Sequence, residues 1–258
     1  MAEAGSAAAV ITPDWPAPPR VRALTTTRRL PGNSQPPYDA FNLGLRGGED
    51  EATVCANRAL LQRAFALPSP PRWLQQVHGD RVLRMTEEVP DGEPQADAAF
   101  TSESGVVLAI QTADCLPILL CAEDGTQIAA IHAGWRGLSG GIVEACLRRM
   151  TATAEKLLAW LGPAIGPASY EVGVEVRDAF VRQHADAQAA FVPTRTGHWH
   201  CDLYALARQR LAALGVTRIY GSGFDTFADA RFYSYRRDAA RSGRMASLIW
   251  LEKTSCRA

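Results

Sequence analysis

The chain has 258 residues, of which 47% are hydrophobic and 21% are charged. This balance is typical of a soluble globular protein with a sizeable core, and it excludes collagen-like and intrinsically disordered chains. The 27 basic and 27 acidic residues cancel, so no global field attracts nucleic acid or a membrane, and an anion site must be local. A P-loop is excluded as well, because neither Lys156 nor Lys253 follows a glycine-rich turn.

Targeting signals and cysteine usage both predict a cytoplasmic protein. The apolar run 7–11 is shorter than the apolar region of a secretion signal, and no basic residue precedes it. The longest apolar run, 115–122, is far shorter than the roughly 20 residues of a membrane span. The six cysteines are Cys55, Cys115, Cys121, Cys146, Cys201 and Cys256. They contain no C-x-x-C pair and are typical of reduced thiols.

The first third of the chain is predicted to hold one strand and one helix. Residues 1–40 are rich in proline and predict an irregular segment with an edge strand around Val21–Leu24. Glu49 or Asp50 can cap a helix that continues through Ala66. Strand-like patterns follow over residues 73–79, 81–85 and 106–110.

The clearest local prediction is a β-hairpin in the middle of the chain. Two apolar runs flank Asp124-Gly125, a dipeptide that favours a tight type I′ turn. If these are the two turn residues, the register places His132 opposite Pro117. Cys115 then lies on the same face and diagonal to His132, at roughly 7 to 8 Å between backbones. Both side chains can therefore reach one ion.

The second half of the chain mixes helices and strands. The glycine-rich segment 133–141 predicts a turn into a helix over 141–150, and a helix N-terminus favours a bound anion. The other predicted elements are helices over 174–183 and 203–214, the second capped by Asp202, and strands over 232–237 and 246–252. Because there is no internal repeat and no linker, the pattern indicates one α+β domain.

Three residues in polar or glycine-rich settings form a candidate metal site, namely His78, Cys115 and His132. Two imidazoles and one thiolate suit zinc, and three protein ligands leave a fourth position for water or substrate, as in catalytic zinc sites. Asp114 is a candidate for added negative charge or a supporting hydrogen bond. The wide spacing carries almost no specificity, and on spacing alone an inert core cysteine with two hydrogen-bonded histidines is the favoured interpretation.

Two further clusters are open to a functional interpretation. His198 and His200 would share one face of a strand, but nothing nearby supplies more ligands at zinc-finger spacing, so we interpret this segment as structural. The arginines of SYRR and SGR, which are Arg236, Arg237 and Arg244, can hold a phosphate bidentately. The alternative for these arginines is a solvated edge strand, which the pattern alone favours somewhat.

The motifs QVHG, ADC-x-P, HAGWRG, GPAIGP and SYRR occur in this order after FNLG and NR-x-x-L. Together they resemble the laccase-domain family, the YfiH-type group formerly described as multicopper polyphenol oxidoreductases. The resemblance implies one catalytic domain over residues 41–258, folded as a layered sandwich of mixed β-sheets flanked by helices. It also implies that His78, Cys115 and His132 are the zinc ligands and the catalytic centre.

The same resemblance implies a zinc-dependent enzyme whose partners are a purine nucleoside and phosphate. The implied reaction is phosphorolysis of adenosine, inosine and methylthioadenosine, with adenosine deamination as a companion activity. Carried over residue by residue, the substrate contacts are Asn42, Arg58, Gln76 and Arg236. Candidates for the general base are His78, the Cys115 thiolate and Asp114. The oligomeric state stays open.

Two departures from the family pattern can alter substrate preference without touching the metal ligands. LRGGED stands at 45–50 where a His-Val-Gly-Asp stretch is common, and Asp225-Thr226 stands where Cys-Thr is common. Three alternative functions remain open: a peptidoglycan-precursor editing amidase, a copper-loaded polyphenol oxidase, and a zinc-stabilised interaction protein without turnover. A multicopper oxidase needs roughly ten histidines, and the chain has five. Copper can still replace zinc in the three-residue site.

Overall fold

The computed structural model describes residues 10–253, so residues 7–9 of the N-terminal apolar run and Cys256 lie outside the described part. The helices are α1 (Glu51–Ala64), α2 (Trp135–Gly140), α3 (Ile142–Leu147), α4 (Val174–Val181), α5 (Leu203–Ala213) and α6 (Tyr235–Asp238). No helix within this part is both long and apolar enough to cross a membrane.

The strands are β1 (Val10–Ile11), β2 (Val21–Thr26), β3 (Val82–Arg84), β4 (Ala98–Thr101), β5 (Val107–Thr112), β6 (Leu116–Ala122), β7 (Ile128–Ala133), β8 (Leu157–Leu161), β9 (Glu171–Gly173), β10 (Phe191–Arg195), β11 (His198–Cys201), β12 (Arg218–Gly221) and β13 (Met245–Leu251). They form a four-stranded sheet in the order β1-β2-β13-β5, a six-stranded sheet in the order β12-β8-β6-β7-β4-β3, and a three-stranded sheet in the order β10-β11-β9. The four-stranded sheet is antiparallel, whereas the six-stranded sheet is mixed, with parallel pairs at β12-β8 and β3-β4.

The two larger sheets stack face to face, and helices cover both outer faces. Between the sheets, Leu108 of β5 packs in one cluster with Leu119 of β6. On the outer face of the four-stranded sheet, Leu61 of α1 packs with Leu248 of β13. Helices α2 to α5 cover the outer face of the six-stranded sheet, where β6 contributes Ile118. The predicted single-domain α+β sandwich is confirmed.

The central hairpin has the predicted register and a different turn. Pro117 of β6 pairs with His132 of β7. The Gly125 N–H closes a turn centred on Glu123-Asp124. The dihedral angle φ is positive at Gly125 (69°) but not at Asp124, so the type I′ prediction, which requires positive φ at both central residues, is wrong. The predicted pairing of Pro117 with His132 is still correct, because it depends on the number of residues between the two strands and not on the type of turn.

The glycine-rich segment after His132 is helical, so the turn predicted over 133–141 is wrong. Helix α2 fills this segment, and Gly141 ends it with a φ of 93°. A Cβ atom on Gly137 would lie 3.0 Å from the carbonyl oxygen of Gly79. Gly137 therefore serves close packing of the helix against the neighbouring loop rather than a turn.

Two strand predictions and one edge assignment are also wrong. Strand β2 pairs with β1 on one side and β13 on the other, so it is not an edge strand. Residues 73–79 form a loop that makes only an isolated bridge, at Gln75. The backbone N–H groups of Val77 and His78 donate to the Asp97 carboxylate instead of to a neighbouring strand. The segment 232–237 is predicted as a strand, but it leads into the short helix α6, which Ser234 caps by accepting the N–H of Arg237.

The helix predicted after Asp50 is confirmed, with the Asp50 carboxylate accepting the N–H of Thr53.

Candidate metal centre

The three predicted metal ligands meet at one end of the sandwich. The chain passes from β5 of one sheet to β6 of the other through residues 113–115, which places Cys115 between the two sheets. His132 lies near the end of β7, and His78 lies on the loop before β3. Their ligand atoms lie within 4.8 Å of one another. Within residues 10–253 no other group of three potential ligands is this close.

The donor set fits a zinc ion. Cys115 Sγ lies 3.7 Å from His78 Nε2, and a tetrahedral zinc holds sulfur and nitrogen donors about 3.5 Å apart. The two imidazole rings meet edge to face at 4.8 Å between centroids. His132 is buried, whereas His78 is exposed. An ion bound here would therefore contact the buried His132 on its inner side and would stay accessible on the side that faces solvent.

A buried carboxylate that sequence analysis missed holds both histidines. Asp97 Oδ1 lies 2.8 Å from His132 Nδ1, which leaves Nε2 as the ligand atom. The same carboxylate accepts the backbone N–H groups of His78 and Gly79, each at 2.8 Å, and of Val77 at 3.1 Å. Burial raises the pKa of Asp97, but hydrogen bonds from His132 and Gly79 outweigh this effect, so the pKa is lowered. Asp97 therefore stays ionised.

The backbone at the centre tolerates few alternatives. His78 has a φ of 63°, in the left-handed region that side chains rarely adopt, and Asp97 stabilises this conformation through three N–H groups. A Cβ atom on Gly134 would lie 2.8 Å from His78 Cδ2 and 2.9 Å from Cys115 Sγ. Only glycine fits at this position, which explains the first glycine of HAGWRG.

The electrostatics favour a thiolate at Cys115. Burial opposes ionisation of Cys115, but the neighbouring His132 and His78 outweigh it and lower the pKa of the thiol to about 6. Burial likewise disfavours the charged form of His132, but Cys115 and Asp97 raise its pKa to about 9. By contrast, burial raises the pKa of Cys121 to about 12, with no comparable partner. Cys115 is thus prepared for metal binding, which requires the deprotonated form.

We expect Asp97→Asn to weaken metal binding about 10- to 100-fold, the usual effect of losing a carboxylate that orients a ligating histidine. The amide keeps the shape of the carboxylate but loses its charge. Zinc affinity, measured by competition with a chromophoric chelator on protein shown to be folded by circular dichroism, checks this prediction. Asp124→Asn is the matched control, because Asp124 contacts only its own exposed turn. Unchanged affinity in Asp97→Asn would contradict the assigned role.

A cavity of about 550 Å³ opens at the candidate metal centre and is lined by all three candidate ligands. Its size lies within the range of about 300 to 1,000 Å³ that is typical of small-molecule sites. The lining includes three aromatic side chains, Trp135, Tyr170 and Tyr235, and four arginines, Arg46, Arg136, Arg236 and Arg244. The arrangement offers flat apolar surfaces and positive charge next to a metal site.

Two of the four predicted substrate contacts line this cavity. The Gln76 side chain donates to the Gln111 carbonyl at 2.7 Å and accepts the Gln111 N–H at 2.8 Å. Arg236 donates from Nη1 to the Glu171 carbonyl at 3.1 Å and lies 5.1 Å from the centre of the Tyr170 ring. Both side chains are anchored at the cavity, and their contacts with substrate stay predictions.

The other two predicted contacts, Asn42 and Arg58, lie outside the cavity lining. Arg58 is ion-paired with Glu93 at 2.7 Å and lies 4.1 Å from the centre of the Trp73 ring. Asn42 is fully buried, and its Oδ1 accepts the backbone N–H of Arg244 at 2.8 Å. Their roles as substrate contacts also stay predictions.

Asp114 positions α6, the short helix that contains Arg236 and Arg237. Its Oδ1 accepts the Thr226 hydroxyl and its Oδ2 accepts the Arg236 backbone N–H, each at 2.6 Å. The hydrogen bond to a metal ligand that was considered for Asp114 is made by Asp97 instead. Asp114 therefore connects the segment between β5 and β6 to α6.

The remaining sequence clusters are bonded within the fold. Asp225 accepts the Gly166 N–H at 3.0 Å and the Ser169 hydroxyl at 2.6 Å, which ties the GPAIGP loop in place. Arg237 donates to the Phe232 carbonyl at 2.8 Å and lies outside the cavity. His198 and His200 lie on β11 and belong to no group of three potential ligands among the described residues.

Residues 22–252 match the family described as multi-copper polyphenol oxidoreductase laccase. The chain belongs to this laccase family. Its family membership agrees with the resemblance carried by the His78, Cys115 and His132 motifs. The match begins at Arg22 and so includes all of β2 except Val21. This strand lies within residues 1–40, which are predicted from the sequence to be an irregular segment.

Relatives of this laccase-family chain include proteins named for another activity. The chain is 52% identical to a purine nucleoside phosphorylase of Pseudomonas aeruginosa, over 94% of this chain and 98% of that protein. It is 49% identical to purine nucleoside phosphorylase YfiH of Escherichia coli, with the same coverage of 94% and 98%. The crystal structure of a Neisseria meningitidis protein is 43% identical, with a TM-score of 0.90 over 95% of this chain and 99% of that chain.

Proposed function

We propose that this protein is a metal-dependent purine nucleoside phosphorylase. The observation that carries the proposal is the cavity itself, in which a His78–Cys115–His132 centre faces aromatic and arginine side chains. Relatives about half identical over nearly their whole length are named for this activity. The cavity thus combines surfaces for a flat base, positive charge for an anion and a candidate metal-binding group.

In phosphorolysis, a phosphate oxygen forms a bond to C1′ of the ribose while the bond from C1′ to the purine nitrogen breaks. The electron pair leaves with the base, which takes up the proton that the attacking hydrogen phosphate loses. The products are the free purine and the sugar 1-phosphate, which is ribose 1-phosphate for an unmodified nucleoside. A zinc ion held by His78, Cys115 and His132 would supply a Lewis acid for the charge that develops. The chain must therefore hold the nucleoside and the phosphate in line and keep competing water out.

Side chains of the cavity are suited to these binding tasks. Trp135, Tyr170 and Tyr235 present ring surfaces against which a purine can stack. The buried Thr112 hydroxyl belongs to the lining and has no hydrogen-bond partner within residues 10–253. A polar edge of a bound nucleoside would supply that partner, since an unpaired buried hydroxyl is costly.

The finer assignments come from the family resemblance, and the cavity offers the surfaces that they require. We propose adenosine, inosine and methylthioadenosine as nucleosides and zinc as the metal. Adenosine deamination is proposed as a second activity, in which water replaces the amino group at C6 of the purine and ammonia leaves. Deamination needs the base to be held but uses no phosphate. The two reactions therefore share the aromatic surfaces and differ in their need for the anion site.

Zinc-loaded protein incubated with each nucleoside should release the purine base only when phosphate is present. The sugar 1-phosphate should appear in equal amount, measured by chromatography: ribose 1-phosphate from adenosine and inosine, and 5-methylthioribose 1-phosphate from methylthioadenosine. Ammonia release from adenosine should persist without phosphate. Samples without phosphate and samples treated with a chelator are the controls. Base release that ignores phosphate, or no cleavage of any of the three nucleosides, would contradict the proposed function. A peptidoglycan precursor in the same panel tests the amidase alternative.

A further inference from the structure

Three of the four arginines of the cavity form no ion pair with a carboxylate of the described residues, and Arg244 is the only one of these three that is not exposed. Arg46 is ion-paired with Glu93, which also pairs with Arg58, and Arg136 is exposed beside the Trp135 ring. Arg244 is half-buried and forms no ion pair with any carboxylate in the described part of the chain. A half-buried charge without a counter-ion is unfavourable unless a ligand supplies the opposite charge.

The hydrogen bonds of the Arg244 side chain leave one edge of the guanidinium available. Its Nη1 donates to the carbonyls of Ser242 at 2.7 Å and Gly243 at 3.0 Å. Within residues 10–253, Nε and Nη2 have no hydrogen-bond partner, and neither is enclosed as a buried unpaired atom. These two N–H groups point in parallel from one edge of the guanidinium plane. This edge matches the bidentate geometry of a phosphate.

Arg244 also lies close enough to the metal centre to sense its charge. Burial lowers the pKa of Arg244, and the charges that oppose this effect are those of Cys115, Asp114 and Tyr235. All three of these residues line the same cavity. An anion on the free edge of Arg244 would therefore be held beside the candidate metal site rather than at the rim of the molecule.

The loop that contains Asn42 and Gly44 fixes the position of Arg244. Asn42 Oδ1 accepts the backbone N–H of Arg244 at 2.8 Å and that of Gly44 at 2.9 Å. A Cβ atom on Gly44 would lie 2.5 Å from Arg244 Cγ, so only glycine leaves room for the side chain to pass. Asn42 is thus a positioning residue that acts through Arg244.

We propose that Arg244 binds the phosphate co-substrate side-on through Nε and Nη2. The proposal rests on the proposed function and assigns the anion to a residue outside the four contacts carried over from the family motifs. Among the contacts carried over from the family motifs, Arg58 is ion-paired with Glu93 and lies outside the cavity lining. Arg236 lines the cavity, but it is exposed and donates to the Glu171 carbonyl. Arg244 supplies the unpaired charge, the free edge and the location that phosphate binding requires.

The test compares Arg244→Gln, Arg244→Lys and the control Arg241→Gln, because Arg241 is exposed and lies outside the cavity. We expect Arg244→Gln to raise the KM for phosphate at least about 30-fold, the effect of losing one partner of a charged hydrogen-bonded pair. Arg244→Lys should recover part of this loss, since it keeps the charge without the fork. The KM for inosine should change little, and the free protein should keep its Tm. Arg241→Gln should behave as wild type.

A second measurement needs no turnover. Inorganic phosphate alone should raise the Tm of the wild-type protein and of Arg241→Gln, but not that of Arg244→Gln, because a ligand of the native state stabilises it. Equal phosphate-induced shifts in wild type and Arg244→Gln, or an unchanged KM for phosphate, would overturn the proposal. If wild type cleaves no nucleoside, the proposed function fails, and the Tm shifts still decide whether Arg244 binds phosphate.

Discussion

Replacing Cys115 with alanine should lower kcat/KM for phosphate-dependent nucleoside cleavage by about 10³-fold or more, because metal Lewis acids supply several kcal/mol of transition-state stabilisation. The variant should nevertheless fold. Cys115 lies in the short connection between β5 and β6 and belongs to none of the apolar core clusters. The core of the sandwich consists of apolar side chains that do not depend on this thiol.

The measurement pairs initial rates with thermal unfolding and zinc content. Cys55→Ala is the matched control, because Cys55 is an exposed thiol on α1 and its loss should leave rates and zinc content unchanged. A Cys115→Ala protein that unfolds globally would instead support a structural metal, as in the interaction-protein alternative. A folded Cys115→Ala protein with near wild-type rates would remove Cys115 from the catalytic centre altogether.

The register of the central hairpin could be predicted from sequence because it depends on local information. The number of residues between two apolar runs determines which residues pair, and here it places Pro117 opposite His132. Cys115 and His132 could therefore be brought together before the fold was known. The location of His78 could not, since its loop approaches the hairpin only through tertiary contacts. His78 is a candidate because of its residue type and polar setting, and the family resemblance rather than geometry strengthens its assignment to the metal site.

Asp97 was missed because its role depends on the fold. It lies just before β4 in the segment ADAAF, and its partner His132 is distant in sequence on the adjacent β7. The usable signal was a lone carboxylate in an otherwise apolar strand, since an unpaired buried charge is very costly. That argument predicts a buried partner for Asp97 but does not identify it.

The cavity arginines show the same limit in another form. Arg236, Arg237 and Arg244 lie close in sequence, yet Arg236 and Arg244 line the cavity, whereas Arg237 lies outside it. All three carry the same charge. Their difference comes from which carbonyls and carboxylates the loops place around each guanidinium, and this information is not local in the sequence.

The family description raises the question whether this protein is an oxidase. A multicopper oxidase combines a type 1 copper site with a trinuclear cluster, which together need roughly ten histidines. This chain has five histidines, and within residues 10–253 only His78, Cys115 and His132 form a group able to hold a metal. Copper binds such a nitrogen and sulfur site more tightly than zinc in the Irving–Williams order. Copper loading is therefore expected to fill one site per chain.

Exchanging zinc for copper should thus change the activity in a defined direction. Zinc-loaded protein should cleave inosine with phosphate under nitrogen as fast as in air, because that reaction transfers no electrons. Copper-loaded protein is assayed on a phenol in air. There we expect slow oxidation that disappears when zinc is restored, since one copper cannot carry out the four-electron reduction of oxygen. Base release, oxygen uptake and metal content are measured on one preparation. Fast, oxygen-consuming phenol turnover together with no nucleoside cleavage in either metal form would contradict the proposed phosphorylase and favour the oxidase.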